Sequence, residues 1–238
     1  MLKVECTDTV MILTLDRPQA RNALNLELTR ALRAQLAAFD ADVSLRAMVL
    51  GATDPAFCAG LDLKDFSAAD APRGEVSSLL SEFPRRRKPV IGAVNGAAMT
   101  GGLELALGCD FLIASERALF GDTHSKIGAL AGGGMSSRLP HAVGYRWAKQ
   151  MSFTCIPIDA ATACRIGLVN EVVAHEALLP RTLELARAIA RWDPELIATV
   201  KDVLDRGAQT TLEESAQIEG FALAERKARG SMRWRGHE

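Results

Sequence analysis

Residues 89–110, PVIGAVNGAAMTGGLELALGCD, organise the reading of this 238-residue chain. An unbroken apolar run of strand length passes through Gly96-Ala97-Ala98 and reaches Thr100-Gly101-Gly102. A strongly helical segment, Leu103 to Leu107, follows and holds one carboxylate, Glu104. Glu104 stands one helical turn after Gly101, and residues three apart share a helix face. The Gly101 N–H and the Glu104 side chain can therefore converge on one small volume. A helix start offers unpaired N–H groups and a partial positive charge, and glycine admits close approach of a ligand to the backbone. An oxyanion donor beside an acid/base group is what carbonyl activation requires.

The rest of the chain supplies the scaffold for such a site. Val10 to Leu15 has the β-branched, alternating character of a strand. Asn25 is placed to cap a helix whose Leu28, Leu32, Leu36 and Phe39 form one apolar stripe. Ala47 to Leu50 reads as a buried strand, and Ala56 to Leu63 as a short strand broken by Gly60. Residues 67–74 read as a surface loop, followed by a helix from Glu75 to Phe83 that Pro84 ends. Arg85 to Lys88 reads as a solvated face, with a role in holding an anionic ligand as the alternative. Phe111 to Ala114 and Ala118 to Gly121 are short extended segments. A helix from Met135 to Gln150 is expected to break near Pro140. A further helix, Ala160 to Arg165, stops at Gly167, and Leu168 to Val173 is a short strand. Helices are expected over roughly 176–191, 194–206 and 212–228. Strands alternating with helices imply α/β packing with partly parallel sheets, so the expected organisation is an α/β core over residues 1–175 and a helical C-terminal region over 176–238.

Composition removes several function classes. A formal net charge of −1 gives no electrostatic case for nucleic acid or a membrane surface. No apolar run reaches the roughly 20 residues of a spanning helix, and the N-terminus lacks signal-peptide features. The five cysteines are scattered without a C-x-x-C pair, so neither a disulfide framework nor a metal site is expected. A cytoplasmic protein is the default. There is no phosphate-loop motif, no completed G-x-G-x-x-G around Gly132-Gly133-Gly134, no second histidine after His175-Glu176, and no G-x-S-x-G elbow.

What remains is a set of blocks in a particular order. Phe57-Cys-Ala-Gly-Leu-Asp62, Ala93-Val-Asn-Gly96, Gly101-Gly-Leu-Glu-Leu-Ala106 with Cys109-Asp110, Phe120-Gly121 and ACRIGLVNEVV from Ala163 to Val173 resemble the crotonase, or enoyl-CoA hydratase/isomerase, superfamily. The resemblance covers roughly residues 8–180. It implies a spiral of ββα repeats with a helical C-terminal appendage, acyl-CoA substrates, and a thioester carbonyl held by two backbone N–H groups, here those of Leu61 and Gly101. It implies catalysis by Glu104 and by the residue four after Phe120. In the family's hydratases that residue is a second glutamate; here it is His124, whose imidazole can also transfer protons near neutral pH. Asp122 could supply a carboxylate from the same loop.

The resemblance also places coenzyme A against Ala20, Ala23, Ala59, Asp62, Leu63 and Lys64, with no cofactor apart from the coenzyme A of the substrate. Gln19 replaces the usual basic residue, with Arg21 nearby. Thr100 stands where a third glycine often lies, and Ala131 replaces a common proline. The tail ERKARGSMRWRGHE is short and weakly matched. The implied reaction is hydration of a 2-enoyl-CoA in fatty acid metabolism, with isomerisation, decarboxylation, thioester cleavage or acyl-CoA binding without turnover as alternatives. A homotrimer or a dimer of trimers is the implied assembly.

Overall fold

Strand β2 (Val10–Leu15) shows how the main sheet is built. Side chains alternate across a strand, and here both sides are buried. Met11, Leu13 and Leu15 enter one core, while Val10 enters another. The same division recurs in β3 (Ala47–Ala52), β4 (Val90–Val94) and β6 (Phe111–Ser115). Met48, Leu50, Val90, Val94, Leu112 and Ala114 face the first core; Ala47, Val49, Ile91, Ala93 and Ile113 face the second. Strands covered on both faces read as apolar runs and pair in parallel. The computed structural model describes residues 1–68 and 71–230. Residues 69 and 70 of the expected loop, and the tail from residue 231, lie outside the described residues.

The main sheet has the order β1-β2-β3-β4-β6-β9, where β1 is Leu2–Thr7 and β9 is Glu171–Val173. Only the β1–β2 pair is antiparallel in that sheet. A second sheet joins β5 (Ala97–Met99), β7 (Leu119–Gly121) and β8 (Ile158–Asp159). Residues 89–110 thus cross from one sheet to the other, through β4 and β5, before entering helix α3 (Gly101–Ala106).

Helix α1 (Leu26–Ala41) begins as expected, with Asn25 Oδ1 accepting the Leu28 N–H at 2.9 Å. Helix α2 (Arg73–Glu82) buries Val76, Leu79 and Leu80. The basic run after it is not simply a solvated face. Arg86 pairs with Asp40 at 2.6 Å, and Lys88 donates to the carbonyls of Phe39 and Asp42 at 2.7 Å each. These cations hold the C-terminal end of α1, where unpaired carbonyls and the helix dipole favour positive charge.

Two local expectations are corrected. Residues 56–63 form isolated bridges, Cys58 with Ala98 and Leu24 with Leu61, rather than a strand, because the segment changes partners at Gly60. Helix α4 (Met135–Thr154) breaks at Gly144, with φ 76° and ψ 157°, and not at Pro140. Only glycine takes that conformation without a Cβ penalty.

Helix α5 is Ala160–Arg165, and α6 is Leu178–Ala190. The sequence places the division of the chain at residue 175, whereas the compact units are Met1–Arg191 and Trp192–Glu238. The cause is α6, which lays Leu178 and Ala186 on the second core of the sheet. The second unit packs α7 (Pro194–Gly207) on α8 (Leu212–Ala228). Asp193 caps α7, and Thr211 with Glu214 forms a capping box on α8.

Candidate active site

The backbone around Leu61 is shaped by bonds that leave its N–H unused. Cys58 exchanges bonds with β5: its N–H donates to Ala97 O at 3.0 Å, and its carbonyl accepts from Met99 at 2.9 Å. On the other side, Leu24 N–H donates to Gly60 O at 2.7 Å, and Asp62 N–H donates to Leu24 O at 2.9 Å. Leu61 lies between these bonds. The start of α3 is pressed onto this segment. A Cβ on Gly102 would stand 2.0 Å from Cys58 O, so no larger residue fits. A Cβ on Gly101 would lie 3.5 Å from Gly60 Cα and 3.6 Å from Leu61 N. The Leu61 and Gly101 N–H groups donate to no group among the described residues. Thr100, before them, holds φ 53° and ψ −115°. Its N–H donates to Gly121 O at 2.8 Å, and its hydroxyl meets that of Thr123 at 2.5 Å.

Glu104 is 2% exposed. A carboxylate so deeply buried needs partners, and the bland expectation is an Arg or Lys. Instead, the backbone N–H groups of Gly133 and Met135 donate to Oε1 at 2.8 and 3.1 Å. No Arg or Lys forms an ion pair with Glu104 among the described residues. Arg138 instead holds the loop in place, donating to Gly133 O and Leu80 O at 2.9 Å each. With Oε1 engaged, Oε2 faces His124 Nε2 at 3.8 Å.

His124 is held from its other side. Its Nδ1 lies 2.7 Å from Asp122 Oδ1, which also accepts the His124 backbone N–H at 3.2 Å. Ser152 Oγ donates to Asp122 Oδ2 at 2.6 Å. Burial by itself would raise the Asp122 pKa, but the hydrogen bonds from His124 and Ser152 outweigh it and hold the carboxyl below its usual range. Both Asp122 oxygens are therefore engaged, Oδ1 by His124 and Oδ2 by Ser152.

The positions assigned to coenzyme A gather along the Leu24–Leu61 bridge. Ala20 ends a 3₁₀ turn, Ala23 is buried, and Ala59 N–H donates to Arg21 O at 3.0 Å. Leu63 and Lys64 are exposed. The Asp62 carboxylate is taken by Arg17 at 3.0 Å, both side chains nearly buried. Arg17 also donates to Ala23 O, so it binds the two halves of this edge together.

Sequence reasoning missed Arg17, the Gly133 and Met135 donors, and Ser152. Gly132-Gly133-Gly134 was a visible signal, but one that suggested only an incomplete nucleotide motif. A second constellation, Ser115 Oγ 3.0 Å from His175 Nδ1 and His175 Nε2 3.1 Å from Asp54 Oδ2, has the elements of a hydrolytic triad. Ser115 is completely buried and accepts the Arg117 N–H, so it is a structural tie rather than a nucleophile.

Comparison with known proteins shows which family the whole chain matches. The family model described as enoyl-CoA hydratase/isomerase matches residues 5–233. A Rhizobium meliloti protein described as "Probable enoyl-CoA hydratase" is 42% identical over 92% of this chain and 86% of its own length. The short-chain-enoyl-CoA hydratase of Clostridium acetobutylicum is 35% identical over 91% of this chain and 85% of its own. The crystal structure of enoyl-CoA hydratase from Bacillus anthracis superposes with a TM-score of 0.90 at 31% identity, covering 94% of this chain and 89% of that one. The enoyl-CoA hydratase structure from Mycobacterium smegmatis gives 0.78 at 42% identity, covering 95% of each chain.

Proposed function

Because this chain belongs to the enoyl-CoA hydratase/isomerase family, we propose that it adds water to a 2-enoyl-CoA between Glu104 and His124. The observation that supports this most is the buried Glu104, with one oxygen tied by two N–H groups and the other turned toward His124 Nε2 at 3.8 Å. A water about 2.8 Å from both atoms would close an angle of roughly 85°, tight but within the range of a doubly held water.

In this reading the thioester carbonyl accepts from the Leu61 and Gly101 N–H groups. As the enolate forms, each donor contributes about 3–4 kcal/mol to lowering the barrier. Glu104 Oε2 takes a proton from the water as its oxygen bonds to the β-carbon. The electron pair of the double bond moves to the enolate, and the protonated Nε2 of His124 delivers a proton to the α-carbon. Transfer of the proton from Glu104 back to His124 restores both groups, so one water is consumed and nothing else changes.

Coenzyme A then runs along Ala20, Ala23, Ala59, Asp62, Leu63 and Lys64, and no cofactor is needed beyond the coenzyme A of the substrate. Fatty acid metabolism in the cytoplasm and a homotrimer or dimer of trimers complete the reading. Among the described residues, no helix is long and apolar enough to cross a membrane. The replacement of a second glutamate by His124 favours one other reading, isomerisation by proton transfer within the same enolate; a mass-spectrometric product screen over several acyl-CoAs separates the two.

The test is Glu104→Gln. Hydration of a short enoyl-CoA should fall by a factor of about 10²–10⁴, while the dissociation constant for the CoA ester stays the same. Unchanged turnover in that variant would sink the assignment.

A further inference from the structure

We propose that Asp122, backed by Ser152, is a positioning residue that fixes His124 as the Nδ1–H tautomer and points Nε2 at Glu104. The inference rests on the hydratase reading of the Glu104–His124 pair and adds to it the residues that set the ring.

A neutral imidazole has one N–H donor and one acceptor nitrogen, and an ionised carboxylate can only accept. Asp122 Oδ1 lies 2.7 Å from His124 Nδ1, so the proton of a neutral ring belongs on Nδ1. Nε2 is then left with a lone pair facing Glu104 Oε2 at 3.8 Å. The opposite tautomer would set the Nδ1 lone pair against the Asp122 carboxylate. Every other bond at Asp122 holds it as an acceptor: Ser152 Oγ at 2.6 Å on Oδ2 and the His124 N–H at 3.2 Å on Oδ1. Asp122 is 5% exposed, so water competes little for these bonds.

The arrangement follows the logic of a base oriented by a third group. Asp122 follows directly on β7, whereas Ser152 lies near the end of α4. The second half of that helix, beyond the Gly144 break, therefore sets the ring through one hydroxyl. A carboxylate behind the imidazole also stabilises the imidazolium that must deliver a proton to the α-carbon, a function a glutamate at this position would perform without such support.

The chain has four histidines, so ¹⁵N-histidine NMR resolves the tautomer directly, with His124 assigned from the spectrum of His124→Gln. At alkaline pH, without substrate, the wild-type ring should be Nδ1–H. In Asp122→Ala, which removes the acceptor altogether, it should shift to Nε2–H or a mixture, with kcat for enoyl-CoA hydration reduced about 10²–10³-fold and KM changed less than threefold. A wild-type ring found as Nε2–H, or a pure Nδ1–H ring retained in Asp122→Ala, would overturn the proposal whatever the activity. Tautomers as expected in a wild-type protein that hydrates no enoyl-CoA would uphold the positioning and remove the hydratase reading instead. Should Asp122→Ala not fold, Ser152→Ala takes its place: the Asp122 carboxylate still accepts from the ring, which should stay Nδ1–H, while kcat falls by about 3–10-fold; an Nε2–H ring or an unchanged kcat there overturns the proposal.

Discussion

Replacing Gly133 with alanine tests the grip on Glu104 more sharply than removing the carboxylate. Gly133 donates its N–H to Oε1 at 2.8 Å, and a Cβ there would stand 2.7 Å from Oε2, 2.6 Å from Leu80 Cδ1 and 2.7 Å from Leu80 Cβ. Relieving the oxygen contact requires the carboxylate to retreat by ~0.7 Å, and misplacement on the order of 1 Å costs about 10²-fold in rate. The expected result is a kcat about 10–100-fold lower with KM within about threefold. Overpacking against Leu80 adds a stability loss of about 1–3 kcal/mol. For a chain of this size that corresponds to a melting temperature lower by roughly 2–12 °C. Gly132→Ala is the control, because a Cβ there meets only the Ser77 side chain, at 3.0 Å for its hydroxyl. Steady-state hydration assays and thermal melts of both variants decide the matter. Full kcat in Gly133→Ala, or an equal loss in Gly132→Ala, would refute the argument that this loop sets the carboxylate.

Two further outcomes follow from burial and charge. Cys58 is buried, and its thiol is pushed up to about 12 by desolvation, while Cys6 is exposed. A thiol reagent at pH 8 should therefore label Cys6 rapidly and Cys58 only after unfolding, as peptide mapping would read; early modification of Cys58 contradicts the packing of α3 on residues 58–61. The Asp122 carboxyl has a folded pKa lowered from its ordinary value, with His124 its ionisable neighbour. A depressed carboxylate contributes stability above its unfolded value of about 3.9 and loses it as pH falls through the folded value. The urea midpoint of the wild type should exceed that of Asp122→Asn at neutral pH, with the gap closing below about pH 4; a gap that widens on acidification would show the sign to be wrong.

Local signals in the chain were strong where one element decides its own structure. Asn25 and the Leu28-Leu32-Leu36-Phe39 stripe define α1 without help from the rest of the fold. The spacing of Gly101 and Glu104 put the two groups on one short helix, as observed. The parts that were hidden depend on residues far apart in sequence. Gly133 and Met135 reach Glu104 from 29 and 31 residues away, and Ser152 reaches Asp122 from 30. No periodicity encodes such distances. Arg86 and Lys88 looked like a solvated charge run because the groups they meet, the Asp40 carboxylate and the Phe39 and Asp42 carbonyls, lie at the end of another helix. The α4 break fell at Gly144 because a position with φ 76° admits glycine, whereas proline alone only weakens a helix.

The hydroxyl pair Thr100–Thr123 ties the backbone at Gly101 to the loop that presents His124. Thr100 is a non-glycine residue at φ 53°, a conformation it keeps only while its surroundings hold it. Loss of either hydroxyl would therefore relax the turn at Gly101 and loosen the loop that holds the His124 ring. Substitutions in the two halves of the site should not be independent: their effects on kcat should fail to multiply, and the deviation should shrink once Thr123 becomes valine. In evolutionary terms, the residue at position 124 is not a plug-in part, because changing it also disturbs the loop that braces Thr100 and the start of α3.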